Sequence, residues 1–132
     1  MSPEKYRKRL EKKDTKALIK KATEVFHRFI RERDKGQPCI SCGQFKELEA
    51  GHYYSAGKFR SLKFNPLNVN GQCKQCNGWL RGNLIFYGKG LMDKIGQKEL
   101  DKLHVIAGME RQAGHYKFDR MALIELIMKY KQ

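Results

Sequence analysis

No apolar run in this chain of 132 residues approaches the ~20 that a membrane-spanning helix needs. The charged N-terminus has no apolar segment behind it, so no secretory signal is visible. Low-complexity tracts are absent. The one internal echo is Ala-Gly-His-Tyr, at 50–53 and again at 113–116. Acidic residues are scarce: 14 Asp and Glu stand against 28 Lys and Arg, a formal net charge of +14. Cysteine is scarce too, with four residues, and none is left over. They form two Cys-x-x-Cys knuckles, Cys39/Cys42 and Cys73/Cys76. Cysteines arranged as metal knuckles imply a reducing compartment, hence a cytosolic protein with no membrane partner.

The positive charge is spread along the chain. Residues 1–35 hold 13 basic and 6 acidic side chains, residues 36–83 hold 6 and 2, and residues 84–132 hold 9 and 6. A basic surface of that extent suits a polyanion, above all nucleic acid. The length sets one domain as the expectation.

The order of elements follows from periodicity and breakers. Residues 4 to about 35 read as one long basic helix, with apolar positions at Leu18, Ala22, Val25, Phe26, Phe29 and Ile30. Gly36 and Pro38 stop it. His27 lies beside the apolar stripe and reads as structural. A short strand is expected through Ala50–Tyr54, and a second, with a basic edge, from Lys58 to Phe64. Asn65-Pro66 is a turn signal. The second knuckle opens a short helix from Lys74 to Arg81, with Trp79 and Leu80 as its buried side. Leu84–Tyr87 reads as irregular, followed by helices from Lys89 to Ile95 and from Gln97 to Leu103. A last helix starts at an Asp119 cap, with Phe118 and Leu123 as a staple, and runs to Tyr130. His115, in the second Ala-Gly-His-Tyr, has no cysteine frame and reads as a surface or structural residue.

Four cysteines in two knuckles fit a structural Zn²⁺, which takes four thiolates in a tetrahedron. The alternative is two disulfides or four free thiols. Between and beside the knuckles lie His52, Asn68 and Asn77, the last directly behind Cys76. Asn68 precedes Cys73 by five residues, and Arg81-Gly82-Asn83 closes the stretch. This His…Asn…Asn order resembles the HNH (ββα-metal) nuclease family. A closer resemblance is to the lambdoid-phage NinG (Rap) family of recombination endonucleases. It rests on Phe29-Ile30-Arg31-Glu32-Arg33-Asp34, Pro38-Cys39-Ile40-Ser41-Cys42-Gly43, Ala50-Gly51-His52-Tyr53 and Gln72-Cys73 through Asn77. Members of that family carry a further N-terminal cysteine-containing region with no counterpart in this sequence.

The resemblance implies an α+β fold: a small zinc-stabilised ββα-metal core (37–83) between a basic N-terminal helix (1–36) and a C-terminal helical extension (84–132). It implies that His52 is the general base, that Asn77 ligates a catalytic Mg²⁺ or Mn²⁺, and that Asn68 ties the loop together and orients His52. Most HNH enzymes place an Asp before the histidine; here that position is Gly51. Glu49 projects from the same strand face and is the candidate substitute. The alternative is that His52 itself ligates the metal. Arg81, one turn beyond Asn77, is expected to meet a phosphate, and Lys58, Arg60, Lys63 and Lys74 are further DNA-contact candidates. Tyr53 and Tyr54 either stack on a base or pack.

Two functions follow. One is a phage or prophage endonuclease acting in the bacterial host, a homodimer that cuts branched DNA such as four-way junctions. The other is a zinc-stabilised DNA-binding module without catalysis, favoured by Gly51.

Overall fold

The structure, a computed structural model, describes residues 1–131 and divides into two compact units. The first unit comprises residues 1–29 and the C-terminal stretch from Lys117. It begins with α1 (Pro3–Glu11), whose N-cap Ser2 accepts the Lys5 amide at 3.2 Å. α2 (Thr15–Arg33) starts afresh behind Asp14, whose carboxylate accepts the Ala17 amide at 2.8 Å. The expected single helix is therefore two. An Asp that caps the turn after it must itself leave the helical conformation, so α1 ends before it. α4 (Arg120–Tyr130) begins at the predicted cap, where Asp119 accepts the Met121 amide. Arg120 donates to the carbonyls of Lys13, at 2.6 Å, and Glu11, at 3.2 Å, and Arg7 pairs with Glu125. The rings of Phe26, Phe29 and Tyr130 cluster, with Phe29 and Tyr130 centroids 4.5 Å apart.

The second unit, Ile30–Tyr116, carries the knuckles. β1 (Leu48–His52) pairs antiparallel with β2 (Val69–Cys73), with Leu48 opposite Cys73, Gly51 opposite Asn70 and His52 opposite Val69. The expected strand at Lys58–Phe64 does not form. That segment makes a 3₁₀ turn at Arg60–Leu62, because the Glu110 carboxylate accepts the amides of Arg60 (2.9 Å) and Ser61 (2.8 Å). The second strand lies later, and every residue of it is buried. A π-helical turn, Gln75–Trp79, follows it. Trp79 and Leu80, expected inside, are instead 83% and 43% exposed. A single turn buries one side, and here that side belongs to Cys76.

α3 (Leu84–Ala113) contains both predicted helices, joined across Gly96, which adopts φ 83° and ψ 167°. Leu84–Tyr87, expected irregular, is its first turn. The core here is Leu62, Tyr87, Leu91, Leu100, Leu103 and Ala107, with Tyr53, Tyr54 and Phe59 packed against it. Gly90 lets α3 lie against the first knuckle, since a Cβ there would come within 2.0 Å of the Ile40 carbonyl oxygen. Among the described residues, no helix is long and apolar enough to cross a membrane.

Candidate functional site

The two knuckles meet. One sulfur from each of Cys39, Cys42, Cys73 and Cys76 lies within 4.8 Å of the others, and no disulfide joins them. A tetrahedron with Zn–S arms of about 2.3 Å has edges near 3.8 Å. The Cys42 and Cys73 sulfurs are 3.9 Å apart. The surroundings suit thiolates: the Cys73 amide donates to Cys39 Sγ at 3.3 Å, the Cys76 amide to Cys73 Sγ at 3.5 Å, and Asn83 Nδ2 to Cys76 Sγ at 3.5 Å. Burial pushes the Cys39 thiol up, but amides of Cys73, Cys42 and Ser41 outweigh it and bring the pKa to about 7. Cys76 is pushed up to about 12 by burial and by its sulfur neighbours. A cation at the centre would relieve that crowding of charge. The four cysteines therefore form a site able to hold one zinc ion.

The hairpin carries the next group of residues. His52, at the end of β1, has Nε2 2.9 Å from the Lys63 carbonyl oxygen. A carbonyl only accepts, so Nε2 carries the proton, and the lone pair of the neutral ring lies on Nδ1. Burial lowers the His52 pKa, outweighing the raising effect of that hydrogen bond, and keeps the ring neutral near pH 7. Asn68 is wholly buried. Its Nδ2 donates to the carbonyls of Tyr54 and Leu62, both at 3.0 Å, and its Oδ1 accepts the Tyr54 amide at 2.9 Å. It thus pins the long connection between the strands from inside. Asn77, in the π turn, donates from Nδ2 to Glu49 Oε1 at 2.9 Å, so the two candidate oxygen ligands are direct neighbours. His52, Asn77, Arg81 and Lys58 line one open cleft of about 530 Å³.

Other candidates lie elsewhere. Arg60, Lys63 and Lys74 are not among the residues lining that cleft. Lys63 contributes through its carbonyl, and Lys74 borders a separate cleft beside Trp79. Tyr53 and Tyr54 pack: Tyr53 lies 5.2 Å from Tyr54 and 5.3 Å from Tyr87, centroid to centroid, although both also border the His52 cleft. His115 is exposed, with Nδ1 3.3 Å from the Ala113 carbonyl oxygen.

Gly51 has a structural reason to be glycine. A Cβ there would meet Gln72 Oε1 at 2.1 Å. Gln72 is buried and anchored by its Nε2, which donates to Ser41 Oγ at 2.9 Å and the Gly82 carbonyl at 2.6 Å. The glutamine thus occupies the room that a side chain at position 51 would need.

Three supporting residues have roles that sequence reasoning did not assign. Tyr87 donates to the Gly51 carbonyl at 2.7 Å and accepts from Asn70 Nδ2, bracing the strand under His52. Asp34 accepts the Gly71 amide at 2.7 Å and pairs with Arg33 and Lys94. Gln72 is the third. No local periodicity marks them, because each acts through partners distant in sequence. The turn leaving the π helix is also unusual: Arg81, Gly82 and Asn83 all take positive φ, at 51°, 93° and 41°. Strain in non-glycine residues collects at functional sites, and Arg81 lines the cleft.

Helices and a two-stranded sheet, with four cysteines of the second unit set to hold one metal ion, define a small α+β protein with a candidate metal centre. The chain belongs to the NinG family, described as Bacteriophage Lambda NinG protein, which matches residues 2–132. It is similar to the protein ninG of Escherichia phage lambda, 41% identical over 87 residues, which are 64% of this chain and 43% of that relative. The protein ninG of Escherichia phage 933W is 40% identical, and that of Salmonella phage P22 39%, over the same shares. The match thus spans less than half the length of these relatives. No solved structure matches.

Proposed function

We propose that this protein is a metal-dependent endonuclease of the HNH type. Its substrates are branched DNA recombination intermediates such as four-way junctions, and its acting form is a homodimer. The observation that carries this reading is the convergence of His52, Asn77, Arg81 and Lys58 on one cleft, with Glu49 bonded to Asn77. Membership of the NinG family and the +14 charge support it.

The residues divide the work. His52 takes a proton from water at Nδ1, while the Lys63 carbonyl fixes the ring through Nε2. Asn68 holds the loop that delivers that carbonyl. Glu49 offers a carboxylate and Asn77, whose Nδ2 donates to it, an amide oxygen; both are donors of the kind that Mg²⁺ or Mn²⁺ takes. Such an ion, when bound, supplies Lewis-acid stabilisation of the phosphate and the leaving oxygen. Arg81 and Lys58 hold flanking phosphates.

The room taken by Gln72 at Gly51 favours a second reading, a DNA-binding module without catalysis. A cutting assay on linear, flapped and four-way DNA with Mg²⁺ or Mn²⁺ separates the two. The wild type should nick, and should prefer branched substrates. His52→Ala should slow cutting by about 100- to 10,000-fold and leave DNA binding and zinc content intact. Glu49→Gln should also lose most activity, because the carboxylate becomes a neutral amide. Wild-type protein that binds junctions but cuts none with either metal would hand the role to the binding module.

A further inference from the structure

We propose that Trp79 is a stacking platform for unpaired nucleobases, set beside the His52 cleft. The inference rests on the DNA reading above and extends it to how a branch is distinguished from a plain duplex.

Trp79 is the sole tryptophan of the sequence and is 83% exposed. It lines an open cleft of about 560 Å³ with Lys46, Lys74, Gln75 and one acid, Glu47. Lys46 donates to Gln75 Oε1 at 3.4 Å, which draws the ammonium to the cleft wall. Phe45, 76% exposed, precedes Lys46. An indole flanked by two ammonium groups fits a ligand that joins flat aromatic rings to negative charge. Unpaired nucleic acid is that ligand: its bases offer free faces, and its phosphates meet the lysines. A blunt duplex hides those faces within its own stack. An apolar protein surface would bring no further counter-charge to the two lysines, which share the cleft with Glu47 alone of the acids lining it.

The backbone under the platform is tied down and well placed. Trp79 shares its turn with Cys76, and the Gly82 amide closes onto the Cys76 carbonyl at 2.7 Å. It sits two residues after Asn77 and two before Arg81, both in the His52 cleft. At most about 7.6 Å of backbone separates its Cα from either. A strand whose base stacks on the indole therefore passes its phosphates toward Arg81.

The sole tryptophan is also the reporter. The zinc-loaded 132-residue chain, without added Mg²⁺, is titrated with oligo-dT of about 20 nucleotides, longer than one binding site, and with a blunt duplex of that length. Binding is followed in parallel by anisotropy. Oligo-dT should quench the Trp79 emission, and duplex at equal occupancy should leave it near its free value. Trp79→Ala should weaken oligo-dT binding about 10-fold and leave duplex binding unchanged. Trp79→Phe should restore most of the loss. Equal losses on both DNAs, or oligo-dT bound with unchanged emission, would overturn the proposal. So would a Trp79→Ala protein that turns from dimer to monomer with unaltered DNA affinity, which would assign this face to a second copy. Loss of the nuclease reading is seen separately, as absence of cutting with quenching retained.

Discussion

Asp34 joins three parts of the chain that local sequence does not connect. Its carboxylate accepts the Gly71 amide of β2, an Arg33 guanidinium that also reaches the Val69 carbonyl, and the Lys94 ammonium of α3. Burial pushes its pKa up, but the hydrogen bonds from Arg33, Gly71 and Lys94 outweigh burial and bring it down to about 2. A folded pKa below the unfolded value means stability that is present above about pH 4 and is lost as the pH falls toward 2. The shift corresponds to roughly 2 kcal/mol. Asp34→Ala leaves Lys94 and the Gly71 amide without their partner and should cost about 3 kcal/mol, read from urea unfolding at pH 7. Asp34→Asn should flatten the stability profile between about pH 2 and 4, and an unaltered acid profile would refute the assignment. Nothing in the sequence around Asp34 announces Lys94 sixty residues away. The hexapeptide ending at Asp34 was visible only as part of a family resemblance.

At the scale of elements, the knuckles hold the hairpin and the π turn to one another. Cys39 and Cys42 precede β1, Cys73 ends β2, and Cys76 lies in the turn that carries Asn77. Removing a shared metal should therefore loosen both halves of the cleft together. Protein purified in reducing buffer without added metal should contain about one zinc per chain, and a strong chelator should abolish cooperative unfolding of this unit. Disulfides in the reduced protein, or full stability after chelation, would refute it. The knuckles were legible because ligand spacing is a local property. β2 was not. Its sequence, Val-Asn-Gly-Gln-Cys, alternates polar Asn70 and Gln72 with Val69, Gly71 and Cys73, which would suit a strand with one face in water, yet all five are buried. Asn70 and Gln72 survive inside because Tyr87, Ser41 and Gly82 satisfy them. The Lys58–Phe64 segment, with its basic edge, was expected as the strand, but the Glu110 carboxylate folds it into a turn. The cap at Asp119 was read correctly, since a cap is a contact between near neighbours, and the equivalent signal at Asp14 was hidden in a charge-dense run.

For the whole molecule the governing quantity is the net charge of +14, distributed over all three segments of the sequence. Such a surface attracts a polyanion at long range and gains most of its binding free energy from released counterions. That gain depends on salt in a calculable way. If roughly 6 phosphates are neutralised, log affinity should fall with log salt at a slope near −5. Arg81 tests how much of the surface acts through the cleft. Its backbone takes a positive φ and it lines the His52 cleft, where the proposed phosphate contact lies. Arg81→Ala should reduce the magnitude of the slope by about one and weaken all DNA sequences alike. The same substitution should leave the dependence on unpaired bases intact, because stacking on an indole carries no net charge and responds little to salt. Measuring the slope for duplex and for four-way DNA then separates the two contributions. A junction that gathers phosphates from several arms should give the steeper slope. Equal slopes with tighter junction binding would place the preference in stacking, and an affinity independent of salt would refute the electrostatic reading of this surface.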